Sequence, residues 1–124
     1  MNYFYELIDS IITITVKTEG DITRNDFAET DRLIRTKANE LNYKILFDFR
    51  NSQNCISIAD AYFWFLNFYT DNENALKTIP TAHLSRVEDE PFFKFFETTT
   101  NNNGIPIKMF LEEESAMAWL EKHK

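Results

Sequence analysis

The sequence predicts an α/β fold: one domain over residues 1–124 with a mixed, mostly parallel sheet of about five strands and covering helices. Three observations carry this. Short β-type runs alternate with helical periodicities along the whole chain, in the order ββαβαβαβα. Strand–helix–strand units need right-handed crossovers and therefore parallel neighbours, whereas the first two runs read as a hairpin and make the sheet mixed. Finally, 124 residues with 44% hydrophobic and 15% aromatic content can bury a core without a metal or disulfide staple.

Tyr3 to Ile8 alternates and stops at Asp9-Ser10, a tight turn. Ile11 to Lys17 alternates again, with Ile12, Ile14 and Val16 on one face and Ile11, Thr13 and Thr15 on the other, completing a hairpin. After Gly20-Asp21, Thr23 is a good N-cap and Asp26, three residues on, approximates a capping box. Phe27, Ile34, Ala38 and Leu41 then recur at helical spacing, with Arg32, Arg35, Lys37 and Glu40 expected outside.

Lys44 to Arg50 is a short apolar strand, followed by a polar loop, Asn51-Ser52-Gln53-Asn54. Ser57 caps a second helix expected from about Ile58 to Tyr69. Tyr62, Phe63, Trp64, Phe65, Phe68 and Tyr69 cover every direction of that helix, so it needs partners on two sides. Its aromatic residues are read either as core or as an exposed patch that forms a dimer interface or the wall of an apolar cleft.

Ile79 to Ser85 reads as a strand with Pro80 at its start. Asp89-Glu90-Pro91 opens a third helix, whose inner stripe is expected to be Phe92, Phe95, Phe96 and Thr99. Asn101-Asn102-Asn103-Gly104 is a turn. Ile105 to Leu111 forms the last strand, and Glu112 to Lys122 the last helix, with Ala116, Trp119 and Leu120 inward.

The net charge of -7 argues against nucleic acid, whose backbone is bound through Lys/Arg clusters, and against an anionic membrane surface. No apolar run approaches the ~20 residues that span a bilayer. The single cysteine, Cys55, points to a reducing compartment, and Met1 to Glu6 lacks the basic and apolar regions of a signal peptide, so a cytoplasmic location is expected.

The order of elements, the segment Lys44-Ile45-Leu46-Phe47-Asp48-Phe49, the later Ile79-Pro80-Thr81-Ala82, and the ending Pro106-Ile107-Lys108-Met109-Phe110 with Glu114, Ala116, Trp119 and Leu120 resemble the SpoIIAA-like family of the STAS superfamily. The resemblance implies a non-enzymatic module that binds a protein partner or a small ligand. The superfamily's kinship with SEC14 domains adds the alternative of a carrier for a small apolar molecule. Anti-sigma-factor antagonists of this family are switched by phosphorylating a serine in a motif like Asp-Ser-Ser-Gly at the start of the helix after the Asp-containing strand. Ser57 falls near that place, but in Asn54-Cys55-Ile56-Ser57-Ile58-Ala59 no acid precedes it and no glycine follows.

The candidate chemistry is sparse. Ser57 is either a phosphoacceptor at a helix N-terminus or a plain cap. His83 lacks a nearby nucleophile and acid in the sequence, and His123 is terminal. Cys55 is read as a small buried hydrophobe. The acid clusters Glu88-Asp89-Glu90 and Glu112-Glu113-Glu114 fall at helix starts and lack calcium-loop spacing, so they are read as capping. No catalytic residue, metal site or cofactor is therefore expected. The favoured ligand or partner site is the carboxyl edge of the parallel strands, where Arg50, Asn51, Ser52, Ser57, Ser85 and Arg86 gather with Tyr62 and Phe65 as wall. A homodimer is a further expectation.

Overall fold

The computed structural model describes residues 1–62 and 74–123. Strand β1 (Asn2–Ile8) turns through a short 3-10 segment, Asp9–Ile11, into β2 (Thr13–Ile22). The two pair antiparallel from Asn2 opposite Glu19 to Ile8 opposite Thr13, as the hairpin reading requires. Ile12 closes the turn in the left-handed region, at φ 52°, which a β-branched side chain adopts only under constraint. Its side chain is exposed, so the predicted face of Ile12, Ile14 and Val16 holds only for the last two, which are buried.

Helix α1 (Arg24–Leu41) starts as expected, with Thr23 Oγ1 accepting from the Asp26 amide over 3.3 Å. It ends at Asn42, whose left-handed conformation lets its amide reach the carbonyls of Ala38 and Asn39. Its buried stripe is Phe27, Thr30, Asp31, Ile34, Arg35 and Ala38. Arg35, expected on the outside, is 0% exposed. It stands eight residues after Phe27 and therefore on the inward face, where Asp31, one turn earlier, supplies the counter-charge.

Strand β3 is Lys44–Asn54, four residues longer than its apolar part. The predicted polar loop 51–54 is sheet, because β2 also runs on to Ile22 and pairs with it from Glu19 opposite Asn51 to Ile22 opposite Asn54. A register shift between Lys17 and Glu19 sets Thr18 of β2 against two residues of β3, Phe49 and Arg50, and leaves all three out of the β2–β3 pairing. The Thr18 hydroxyl donates to the Asp48 carbonyl at 3.3 Å and shares a 2.6 Å hydrogen bond with the Ser52 hydroxyl, so the irregularity is internally satisfied.

Helical residues 58–62, here α2, follow; the predicted continuation to Tyr69 lies outside the described residues. Then come α3 (Asn74–Lys77), β4 (Thr81–Leu84), α4 (Glu90–Asn101), β5 (Ile107–Phe110) and α5 (Glu113–Lys122). The five strands lie in the order β1-β2-β3-β4-β5, with β2 through β5 mutually parallel.

The sheet has two apolar faces. Ile14, Val16, Ile45, Phe47, Phe49, Ile107 and Met109 meet Phe27, Ile34 and Ala38 of α1 and the phenylalanines of α4. On the opposite face Leu46, Ala82 and Leu84 meet Ala116 and Leu120 of α5, while Trp119 is only half-buried. The inner stripe of α4 is Phe92, Phe93, Phe96 and Thr100, rotated from the expected Phe92, Phe95, Phe96 and Thr99. Phenylalanines stand on both flanks of the helix, and the sheet selects the flank that Phe93 occupies, where it stacks on Phe49 at 5.2 Å. No described helix is long and apolar enough to cross a membrane.

Candidate functional site

The carboxyl ends of β2 and β3 project past the rest of the sheet and carry the predicted edge residues. Arg50 folds back on the strand residue two positions earlier, donating from Nε to Asp48 Oδ1 (3.0 Å) and from Nη2 to Asp48 Oδ2 (2.9 Å). Glu113 at the start of α5 adds a carboxylate 3.8 Å from Nη2. Burial pushes the Asp48 carboxyl up, but hydrogen bonds from the Arg50 side chain and amide, with the Arg50 and Lys17 charges, outweigh it and hold the group below the usual carboxylate range.

Arg86 is held in the same manner. Its Nε donates to Asp89 Oδ2 at 3.0 Å, with Glu88 at 3.5 Å. Asp89 Oδ2 also accepts from the Asn54 amide at 3.2 Å, so this carboxylate joins the end of β3 to the start of α4. It makes no capping hydrogen bond to its own helix, contrary to the capping reading: Asp89 ends a 3-10 turn at φ -100° and ψ 4°, not in the extended conformation of an N-cap, and its carboxylate is taken by Arg86 and the Asn54 amide. Sequence spacing gave no sign of this link across 35 positions.

The remaining candidates separate by burial. Ser52 is buried against Thr18, and Ser85 is buried with its hydroxyl donating to the Arg86 carbonyl at 3.1 Å. Asn51 and Ser57 are exposed. The Ser57 hydroxyl accepts from the Asp60 amide at 3.0 Å, the geometry of an N-cap. Tyr62 is exposed, and Phe65 lies outside the described residues. Cys55, read as a buried hydrophobe, is exposed, since it follows the last residue of β3 in the turn toward Ser57; its thiol lies 3.8 Å from the Gln53 carbonyl.

His83 has the least usual surroundings. It is 1% exposed, and the rings of Phe27, Phe47, Phe49, Phe93 and Phe96 surround it with centroids 5.5–6.0 Å away. Among the described residues neither ring nitrogen has a hydrogen-bond partner. Burial, helped by the Arg35 charge, lowers its pKa to about 3, so the ring is neutral at any physiological pH. Arg35 itself donates from Nη1 to the Leu76 carbonyl at 3.1 Å, fastening α1 to α3, and its Nη2 has no partner among the described residues.

A small cavity bordered by Arg24, Phe27, Ile56, Ala61, Phe92 and Phe96 has a volume of about 10 Å³, room for a single water. Two larger concavities open at the other end of the sheet, beside the amino ends of the parallel strands. One, of about 630 Å³, runs past Ile12, Asn42, Tyr43 and Pro80; the other, of about 570 Å³, passes Gly104, Lys108 and Trp119. Among the described residues no three His, Cys, Asp or Glu side chains gather as a metal site would need.

A sheet with sequential strand order, an antiparallel first strand and helices on both faces defines the SpoIIAA-like class of α/β fold. Two solved structures share it along nearly their full lengths. One is an uncharacterised protein of the DUF3478 family with a SpoIIAA-like fold from Shewanella loihica PV-4, at 18% identity over 96% of this chain and 92% of that one, with a TM-score of 0.56. The other is the anti-sigma factor antagonist SpoIIAA in its unphosphorylated form, at 15% identity over 98% of this chain and all of that one, with a TM-score of 0.55. At such identities the likeness is one of fold. No family model matches the chain, and no curated protein matches its sequence.

Proposed function

We propose that this chain is a non-enzymatic binding or regulatory module of the SpoIIAA-like, STAS type, acting in the cytoplasm through a protein partner or a small ligand. The fold shared with an anti-sigma factor antagonist over 98% of the chain carries the reading, since that protein is itself a regulator. Two features of the molecule agree with it. Among the described residues His83 is sealed by phenylalanines with no acid bonded to it, and the exposed thiol of Cys55 meets a backbone carbonyl rather than a base. A partner would meet the carboxyl edge, where Ser57 and Asn51 are exposed and Arg50 and Arg86 present ion-paired heads. Ser57 is the residue whose modification would alter that edge most, since a phosphate there adds about two negative charges at a helix start.

The test is recovery of the tagged chain from its native cells, with mass spectrometry of bound proteins and of bound small molecules. A partner retained in defined stoichiometry by the wild type and lost on Ser57→Glu or Arg86→Glu supports the proposal. A chain recovered alone in every case counts against it. A co-purified apolar molecule would favour the carrier alternative, to which the 10 Å³ cavity beside Phe96 lends no support in this conformation.

A further inference from the structure

The two edges of the sheet are built differently. β5 is four residues long, and its Met109 amide is taken by Glu97 Oε1 at 2.9 Å, so that edge is short and in part closed. β1 is seven residues long, Asn-Tyr-Phe-Tyr-Glu-Leu-Ile, without proline, lysine or glycine. No side chain among the described residues bonds its backbone. Phe4 is 59% exposed, and Tyr3, Tyr5 and Leu7 are also open to solvent. Edges of soluble sheets are ordinarily shielded by charge, proline, bulges or a covering element, and this one has a single carboxylate, Glu6.

We infer that β1 is the docking strand for a second copy of this chain, pairing antiparallel with the partner's β1 across a twofold axis at Tyr5 to make one continuous ten-stranded sheet. The choice of occupant follows from self-complementarity. Centring the axis on Tyr5 uses all seven residues: Tyr3 faces Leu7 of the other copy, Phe4 faces Glu6, and Asn2 faces Ile8. Faces also match, since opposed residues then have the same parity and point to the same side.

Charge agrees with this register. Phe4 lies opposite Lys17 within the chain, so the partner's Glu6 arrives on the far side of Phe4 and on the same face as Lys17. Carboxylate and ammonium then flank one exposed ring in each half of the dimer, and no like charges are opposed along the strand. Lys37 Nζ already sits 5.6 Å over the Tyr5 ring, fixing the side chain that lies on the axis.

Sedimentation velocity on the whole chain, up to roughly 100 µM because an interface of one strand pair is small, tests this. The expected result is a concentration-dependent species of twice 14.7 kDa. Glu6→Lys should weaken it roughly tenfold, because both symmetric pairs turn repulsive, and Lys17→Glu added to Glu6→Lys should restore it. In a Cys55→Ser background, Tyr5→Cys should form a self-disulfide on mild oxidation, since only a residue on the axis meets its own copy. That arm stands even if a charge variant fails to fold. A 14.7 kDa monomer throughout, or a dimer indifferent to Glu6→Lys without cross-linking at position 5, overturns the inference.

Discussion

Arg35 Nε donates to Asp31 Oδ2 over 2.9 Å inside the core, with neither side chain reaching solvent. The attraction works against the desolvation of both ions; for Asp31 burial prevails over Arg35 and raises its pKa above the usual carboxylate value. Removing one partner strands the other. Arg35→Met should therefore cost about 3–5 kcal/mol in chemical denaturation, while Asp31→Leu with Arg35→Met should recover most of that loss. Equal destabilisation by the single and double variants would show that the Leu76 contact, rather than the ion pair, sets the cost.

His83 makes the fold acid-sensitive. The folded ring titrates near 3 and the unfolded ring near 6.5, so between those values the unfolded chain binds the extra proton. Its contribution is present in full above pH 6.5 and is lost as pH falls toward 3. The rings around it carry no charge, and the charged group that acts on it is Arg35, itself paired with Asp31. Stability should drop by about 2 kcal/mol from pH 7 to pH 5 on this account, at 1.36 kcal/mol per unit. His83→Phe should remove that part of the slope, a comparison made by urea titration at the two pH values.

Ser57→Ala should cost about 1 kcal/mol through loss of the cap on the Asp60 amide, and Ser57→Asp should retain most of it. Thermal melts of the three proteins give the ranking. A Ser57→Ala protein as stable as wild type would show that the hydroxyl contributes nothing to the helix start.

Glu97→Ala should cost about 1.5–3 kcal/mol, because the Met109 amide loses a charged acceptor in a half-buried place. It should also leave β5 open to edge-to-edge association, which light scattering on warming would reveal as aggregation at a lower temperature than wild type.

The fold was legible because its signals were local. Alternation in residues 3–8 and 11–17, the Thr23 cap and the turn at Asn101–Gly104 each act within a few positions of themselves. Errors arose where the decisive partner was distant. Phe92 and Phe96 belong to both possible faces of α4, and only Phe49 on β3 chooses Phe93 over Phe95. Asn51 to Asn54 look like a loop by polarity, yet their backbone pairs with an equally polar stretch of β2. Arg35 had a readable sign, standing four residues after an aspartate on the stripe of Phe27, Ile34 and Ala38. The candidate edge was legible as a location. Its ion pairs were not, since Asp89 meets Asn54 from 35 positions away.

The sequential order of the strands also governs how the chain can assemble. Each strand has the one before it as a neighbour, so β1 and β2 can pair before β3 exists, and every later strand finds its template already in place. A nascent chain can thus build this sheet strand by strand, in the order in which the strands leave the ribosome. The face that awaits α5, with Leu46, Ala82 and Leu84, stays bare until that helix emerges.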